Sequence, residues 1–110
     1  LFSVHAPHLC LSSVALMELI YGAERSARVI ENTRSLDGFV ARVTVLPYEA
    51  ADAEHTGQIR AELAAIGNPI GPYDAMIAGQ ARARGLIVVT NNTKEFVRVS
   101  GLRIEDWTAN

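Results

Sequence analysis

The sequence predicts an α/β fold in which a parallel β-sheet is flanked by α-helices. Short apolar, β-branched segments alternate with longer amphipathic segments along the 110 residues, a pattern typical of strand–helix units. The segment "LIVVT" at 86–90 is apolar throughout, as expected of a strand covered on both faces. No linker, internal repeat or low-complexity stretch interrupts the pattern, so residues 1–110 are expected to form one domain.

The first part of the chain contains local signals for strand and helix ends. "HLCL" is a short apolar strand, and Ser12 or Ser13 can cap the helix "VALMELIYGAE" that follows. Pro47 ends the β-branched segment "VTVLP", and Gly67 is suited to the turn that ends the next amphipathic helix. The predicted elements are strands at 8–11 and 43–47 and helices at 14–24, 26–42 and 48–67.

The second part begins with a proline-rich loop, "NPIGP". Pro72 suits the first turn of a helix, and Gly85 suits the position just after its end. The predicted elements are a helix at 72–84, a strand at 86–90, a loop at 91–96 and an edge strand at 101–107.

Composition excludes several classes of function. The net charge is −2, so the chain lacks the basic excess of a typical nucleic-acid-binding module. Cys10 is the single cysteine and lies in an apolar run, which predicts a buried thiol and excludes a disulfide within the chain. No apolar run approaches the ~20 residues of a membrane span, and no signal peptide or P-loop is recognisable. A reducing cytoplasm without membrane attachment is therefore expected.

Polar residues follow the apolar strand 86–90, at the edge where open α/β sheets bind their ligands. Thr90 and Asn92 lie there, with Asn91 between them. Asp74 lies in the first turn of the preceding helix, whose small residues allow close packing on the sheet. Glu18 stands one turn into the first helix, within an otherwise apolar stretch. We expect these side chains to converge at one edge of the sheet.

Each of these residues also has a simpler interpretation. Glu18 fits a solvated helix stripe, Asp74 fits a helix cap, and Asn92 fits a turn. Taken one at a time, the patterns favour those simpler roles. Taken together, Glu18, Asp74 and Asn92 form an oxygen-only set of the kind that holds Mg²⁺ or Mn²⁺ over a phosphodiester.

The motifs resemble those of PIN-domain ribonucleases, and more narrowly of VapC-type toxins from bacterial toxin–antitoxin pairs. The resemblance runs from about Cys10 to Trp107 through three segments: "LSSVALMELIYGAE", "GQIRAELAAIGNPIGPYDAMIAGQARARGLIVVTNNTKEF" and "GLRIEDW". It implies a PIN-like fold and a metal-dependent endoribonuclease, with transfer RNA as the expected substrate.

The resemblance also implies roles for individual residues. Glu18, Asp74 and Asn92 would bind the metal ion, Mg²⁺ or Mn²⁺, and Thr90 would supply a hydroxyl to the same catalytic site. Glu95 would be a possible additional acid. The cations expected to hold the RNA backbone are Arg82, Arg84, Lys94 and Arg98.

One departure concerns the start of the chain. The family opens with a strand ending in an Asp-Thr-Asn-like motif, whereas only "LFSVHAPH" precedes "LCLSS" here. An N-terminally truncated PIN domain lacking its central strand is therefore expected. The resemblance implies a VapB-type antitoxin, a homodimer and a bacterial cytoplasmic location. A non-catalytic remnant that dimerises or binds antitoxin is the alternative function.

Overall fold

The computed structural model describes residues 2–3, 9–90 and 92–106, which form a sheet with helices packed against it. The strands are β1 (Phe2–Ser3), β2 (Leu9–Ser12), β3 (Thr44–Leu46), β4 (Ile87–Thr90) and β5 (Arg103–Asp106). The helices are α1 (Ser13–Arg25), α2 (Val29–Val40), α3 (Ala50–Ala65), α4 (Pro72–Arg84) and α5 (Thr93–Phe96). Residues 8, 91 and 107, which the sequence predictions include, lie outside the described ranges.

Strand direction brings four carboxyl ends to the same edge of the sheet. The strand order is β3-β2-β1-β4-β5, with β2 parallel to β3 and β4 parallel to β5. The central β1 is antiparallel to both of its neighbours, so β2 and β4 run in the same direction. The chain therefore enters α1 and α5 from a common edge of the sheet, as the predicted parallel topology requires.

The core lies between the sheet and the helices. Leu11 of β2, Ile59 of α3, Ala78 of α4 and Val88 of β4 are almost completely buried, and Cys10 is buried as predicted. The small side chains on the inner face of α4 let this helix approach the sheet closely. This packing fixes the first turn of α4, and with it Asp74, relative to the strand ends.

Helices α3 and α4 are locked together by close packing and by an ion pair. Gly79 leaves no room for a side chain, because a Cβ there would lie 2.0 Å from Thr56 Oγ1 and 2.7 Å from its backbone nitrogen. Arg84 donates through Nε and Nη2 to the two carboxylate oxygens of Asp52, at 3.2 and 2.9 Å. Asp52 is only 1% exposed. These contacts make the α3–α4 pair a rigid support for the residues that α4 carries.

Most predicted elements are confirmed, with three differences. The second helix begins at Val29 instead of residue 26, because Ser26 ends α1 by donating from its backbone N–H and its Oγ to Ala23 O. The segment 91–96 was expected to be a loop, but Thr93–Phe96 form α5. Where the sequence predicted a missing central strand, the two-residue β1 occupies the middle of the sheet.

None of the described helices is both long enough and apolar enough to cross a membrane.

Candidate active site

Glu18 reaches the candidate site from α1, whose start is fixed by a serine cap. Ser12 Oγ accepts a hydrogen bond of 3.1 Å from Val14 N, which confirms the predicted cap and orients the helix as it leaves β2. Glu18 lies one turn further on and is exposed. It is nevertheless close enough to Asp74 for its charge to raise the pKa of that residue. Glu18 and Asp74 thus lie near enough for their charges to interact.

Asp74 behaves differently from a helix-capping carboxylate. It is the third residue of α4, and Gly71 occupies the N-cap position. Burial raises the pKa of Asp74 to about 7, and a hydrogen bond with Glu95 and the charges of Glu95 and Glu18 add to the effect. A capping carboxylate accepts backbone N–H bonds and faces the positive end of the helix dipole, and both influences lower its pKa. The shift of Asp74 has the opposite direction, chiefly because the residue is partly buried and further because Glu95 and Glu18 lie near it.

Glu95 has a larger part in the candidate site than the sequence predicts. It was placed in a loop as a possible extra acid, whereas the structure places it in α5 with its side chain hydrogen-bonded to Asp74. Buried Phe96 holds this short helix against the core. A four-residue helix shows no periodicity, so the sequence pattern could not predict the direction in which Glu95 points.

Thr90 and Asn92 form the turn between β4 and α5. The backbone N–H of Asn92 donates to Thr90 Oγ1 at 2.9 Å, and the Asn92 side chain is exposed. Thr90 and Asn92 therefore take part together in a local turn. Thr90 also lines the same groove as Glu18, so its hydroxyl group lies at the margin of the site.

The structure does not bring Arg82 and Arg84 to the acids. Both lie in the last turn of α4, eight and ten residues beyond Asp74, or about 12–15 Å along the helix axis. Arg82 is largely buried and donates to His55 Nδ1 and to the backbone oxygen of Ser100, each at 3.0 Å. With Arg84 paired to an acid of α3, both of these cations serve packing between elements.

The other two predicted RNA contacts lie nearer the acids in the sequence. Lys94 is exposed on α5, next to Glu95. Arg98 follows α5 and donates to the backbone oxygen of Pro69 at 3.0 Å, which ties this segment to the loop before α4.

The acid cluster fits a hard divalent cation. Asp74 and Glu95 are in hydrogen-bond contact, and Glu18 adds a third negative charge. Within the described ranges, no three acidic, histidine or cysteine side chains complete a metal site by themselves. Mg²⁺ commonly takes only one or two carboxylates and fills its remaining positions with water and phosphate oxygens. The oxygen-only donors and their unbalanced charge therefore suit an ion that is shared with a phosphate-bearing ligand.

Two cavities meet at Glu18. One, of about 710 Å³, lies between α1 and α2; its lining includes Leu19, Phe39 and Thr90. The other, of about 420 Å³, is lined by Met17, Glu18, Tyr21 and Tyr73. Ligands could thus approach the acids along two faces of α1.

Comparison with known proteins identifies the family. The PIN domain family model matches residues 3–102. A tRNA(fMet)-specific endonuclease VapC from Shigella flexneri is 62% identical over 107 residues, covering 97% of this chain and 81% of the relative. Ribonuclease VapC2 from Haemophilus influenzae is 44% identical over 106 residues, covering 96% of this chain and 80% of the relative.

Solved structures agree with this assignment. The DNA-bound VapBC complex from Salmonella typhimurium contains a chain with a TM-score of 0.86 and 60% identity, covering 89% of this chain and 74% of that chain. VapBC2 from Rickettsia felis, bound to a DNA fragment from its promoter, gives a TM-score of 0.88 at 37% identity, with coverages of 91% and 75%. The chain therefore belongs to the PIN-domain family and, within it, to the VapC ribonucleases, a group of divalent-metal-dependent nucleases.

Proposed function

We propose that this ribonuclease hydrolyses phosphodiester bonds of a transfer RNA, with Mg²⁺ or Mn²⁺ held by carboxylates from the group Asp74, Glu95 and Glu18 together with water and phosphate oxygens. The observation that carries the proposal is the proximity of Glu95 on α5 and Glu18 on α1 to the partly buried Asp74 on α4, whose pKa is raised to about 7 chiefly by burial and further by these two acids. Like charges held together in this way are stabilised by a cation. The 62% identity to an endonuclease named for tRNA(fMet) favours the initiator transfer RNA as substrate.

The acids have distinct tasks in this proposal. Asp74 would bind an ion in its ionised form, and Glu95, whose side chain interacts with Asp74, would supply a second carboxylate. Glu18 completes the negative charge from the opposite helix. A bound divalent ion supplies an activated water and offsets charge on the scissile phosphate.

Thr90 and Asn92 complete the proposed site in supporting roles. The Thr90 oxygen already accepts from Asn92 N, so its own O–H remains able to donate to a substrate phosphate oxygen. Asn92 offers an amide oxygen, a neutral and hence weaker ligand than a carboxylate. Its exposed position on the turn permits contact with a ligand but does not require it.

For the RNA backbone, the proposal retains Lys94 and Arg98. Both follow β4 near Glu95, on the side where the substrate must lie. Arg82 and Arg84 are assigned instead to the contacts between α3 and α4, because their guanidinium groups are already held by groups of α3 and its flanking segments.

We further propose that the protein acts in the bacterial cytoplasm as a homodimeric toxin inhibited by a VapB-type antitoxin. The solved relatives are VapBC complexes, which supports the antitoxin. The apolar groove between α1 and α2 ends at Glu18 and Thr90, so a segment bound there would cover the acids. The exposed Leu19 and Ile20 of α1 offer apolar surface for assembly.

The decisive experiment measures cleavage of an initiator tRNA transcript by the purified protein with Mg²⁺ or Mn²⁺. Asp74→Asn should lower the cleavage rate at least about 100-fold, beyond the usual cost of losing an outer-shell partner of a metal. Asp37→Asn makes the same chemical change at an exposed position of α2 and should leave the rate unchanged. Undiminished cleavage by Asp74→Asn would remove this residue from the mechanism. A wild-type protein that neither cleaves nor gains thermal stability with Mn²⁺ would instead support the non-catalytic alternative.

A further inference from the structure

The smaller cavity beside the acids is lined by two tyrosines that the proposed chemistry does not use. Its volume of about 420 Å³ falls within the roughly 300–1,000 Å³ of small-ligand sites. Glu18 is part of its lining, so the cavity borders one of the three acids. Met17, Tyr21 and Tyr73 form the remainder of the lining, which is apolar and aromatic.

Both tyrosines expose large aromatic surfaces. Tyr21 is 59% exposed and Tyr73 is 48% exposed, although neither is needed to close the core. Each is also tied by the chain to an acid. Tyr21 follows Glu18 by three residues on α1, which places both on one helix face, and Tyr73 immediately precedes Asp74. The aromatic groups therefore keep a fixed relation to the reacting centre.

Arg25 holds the Tyr21 ring in position. Its Nη1 donates to the Tyr21 hydroxyl group at 2.9 Å, and its guanidinium carbon lies 5.7 Å from the ring centroid. A cation over one face of the ring leaves the opposite face available. The contact with Arg25 already restricts the rotamers of Tyr21. Less conformational entropy is therefore lost when a ligand stacks on the ring. Arg25 also places a positive charge next to the Tyr21 ring.

We infer that Tyr21 and Tyr73 form a stacking subsite for an unpaired nucleobase next to the scissile phosphate. This inference rests on the proposed function, because the ligand is a nucleotide of the RNA substrate. Aromatic side chains stack on any base, so the subsite positions the strand without selecting a sequence. It requires a base that is free of a duplex, which directs cleavage to single-stranded loops of a folded RNA. Arg25 is placed to contact the phosphate that flanks the stacked base.

The test compares leucine with phenylalanine at each tyrosine. Tyr21→Leu and Tyr73→Leu keep apolar bulk but remove the π-face, and each should weaken binding of RNA by about 5- to 150-fold. Tyr21→Phe and Tyr73→Phe keep the ring and should stay within about twofold of wild type. Binding is measured without metal by fluorescence anisotropy, with labelled single-stranded RNA oligonucleotides that together cover the loops of an initiator tRNA. The KM and kcat for cleavage with Mg²⁺ are measured in parallel, and KM should carry most of the effect.

A second RNA separates stacking from a structural role. In the oligonucleotide that binds best, an abasic nucleotide at the position of the stacked base, found by replacing each nucleotide in turn, should weaken binding to the wild-type protein. The same replacement should cause no further loss of binding to the leucine variants. Equal losses for the phenylalanine and leucine variants, or leucine variants that bind as wild type does, would overturn the inference. If the variants that bind RNA more weakly also change the molecular mass of the protein in solution, the tyrosines belong to an interface between copies of the chain. That result would overturn the inference too. Because binding is measured without metal, failure of catalysis leaves this test intact.

Discussion

Replacing Asp74 by asparagine removes a charge from the acid cluster while preserving the shape of the side chain. In the wild-type protein, burial and two neighbouring acids raise the pKa of Asp74 from 3.8 to about 7. Between about pH 4 and pH 7, the folded protein therefore keeps a proton on Asp74 that the unfolded chain has released. Ionisation of Asp74 opposes folding as long as no cation is bound. The substitution should abolish that pH dependence and the response to metal together.

The sign and size of the effect follow from proton linkage. Because the folded state binds the extra proton, the free energy of unfolding falls as pH rises from about 4 to about 7. The slope is at most about 1.4 kcal/mol per pH unit, which sets an upper limit of about 4 kcal/mol over the window. Asp74 is only partly buried, and solvent screening reduces this to about 1–2 kcal/mol. For a domain of this size, such a loss lowers Tm by about 4–10 °C.

The assay is thermal unfolding at pH 4.5, 6 and 8, with chelator and then with excess Mn²⁺. Without metal, wild-type Tm should fall across the series, whereas Asp74→Asn should stay level and exceed wild type at pH 8. Added Mn²⁺ should raise wild-type Tm at pH 8 and have little effect on the variant. The control variant Asp37→Asn should follow wild type in every condition. An Asp74→Asn protein with the wild-type pH profile would show that the titrating proton lies elsewhere.

Two further substitutions test the acid beside Asp74 and the packing between α3 and α4. Glu95→Gln removes one of the two acids that raise the pKa of Asp74, so the stability profile should shift to lower pH, and tRNA cleavage with Mg²⁺ should fall about tenfold or more. Gly79→Ala should lower the free energy of unfolding by about 1–3 kcal/mol, because the added methyl group meets the backbone of Thr56. The matched change Gly57→Ala, at a helical glycine with open space around it, should stabilise the protein by about 0.5–1 kcal/mol in chemical denaturation. A destabilised Gly57→Ala or an unaffected Gly79→Ala would contradict the packing described for α3 and α4.

The larger elements were predictable from sequence because their signals are local. The serine cap at residue 12, Pro72 at the start of α4 and Gly85 after its end each act within one helical turn. The apolar segment that became β4 is equally self-contained. By contrast, β1 is a two-residue strand held only by its partners, and α5 is a four-residue helix. Neither is long enough to show a period, so no pattern in the sequence could predict it.

The site was predictable in its members but not in its geometry. Glu18 and Asp74 each had a simple surface or capping role that a single sequence could not exclude, because convergence depends on how α1 and α4 pack. Glu18 is exposed, as expected for a residue on a solvated helix stripe, and its charge also acts on Asp74. The two interpretations of Glu18 are therefore compatible. The proximity of Glu95 to Asp74 depends on the orientation of α5, which the sequence pattern does not predict. The metal-binding roles predicted for these residues, and for Asn92, remain predictions until metal binding is measured.

The positions of the arginines show how the fold leaves the negative charge of the acid cluster uncompensated. An arginine beside a carboxylate lowers its pKa, as Arg84 and the backbone of Glu49 do for Asp52 despite the opposing effect of burial. A similar partner beside Asp74 would satisfy its charge and compete with a metal ion. The structure instead places two arginines of α4 at the far end of that helix, where they hold α3, while the influences on Asp74 are burial and two acids. These two arginines therefore stabilise the contact between α3 and α4, and the acids are left with a charge that a divalent ion can balance.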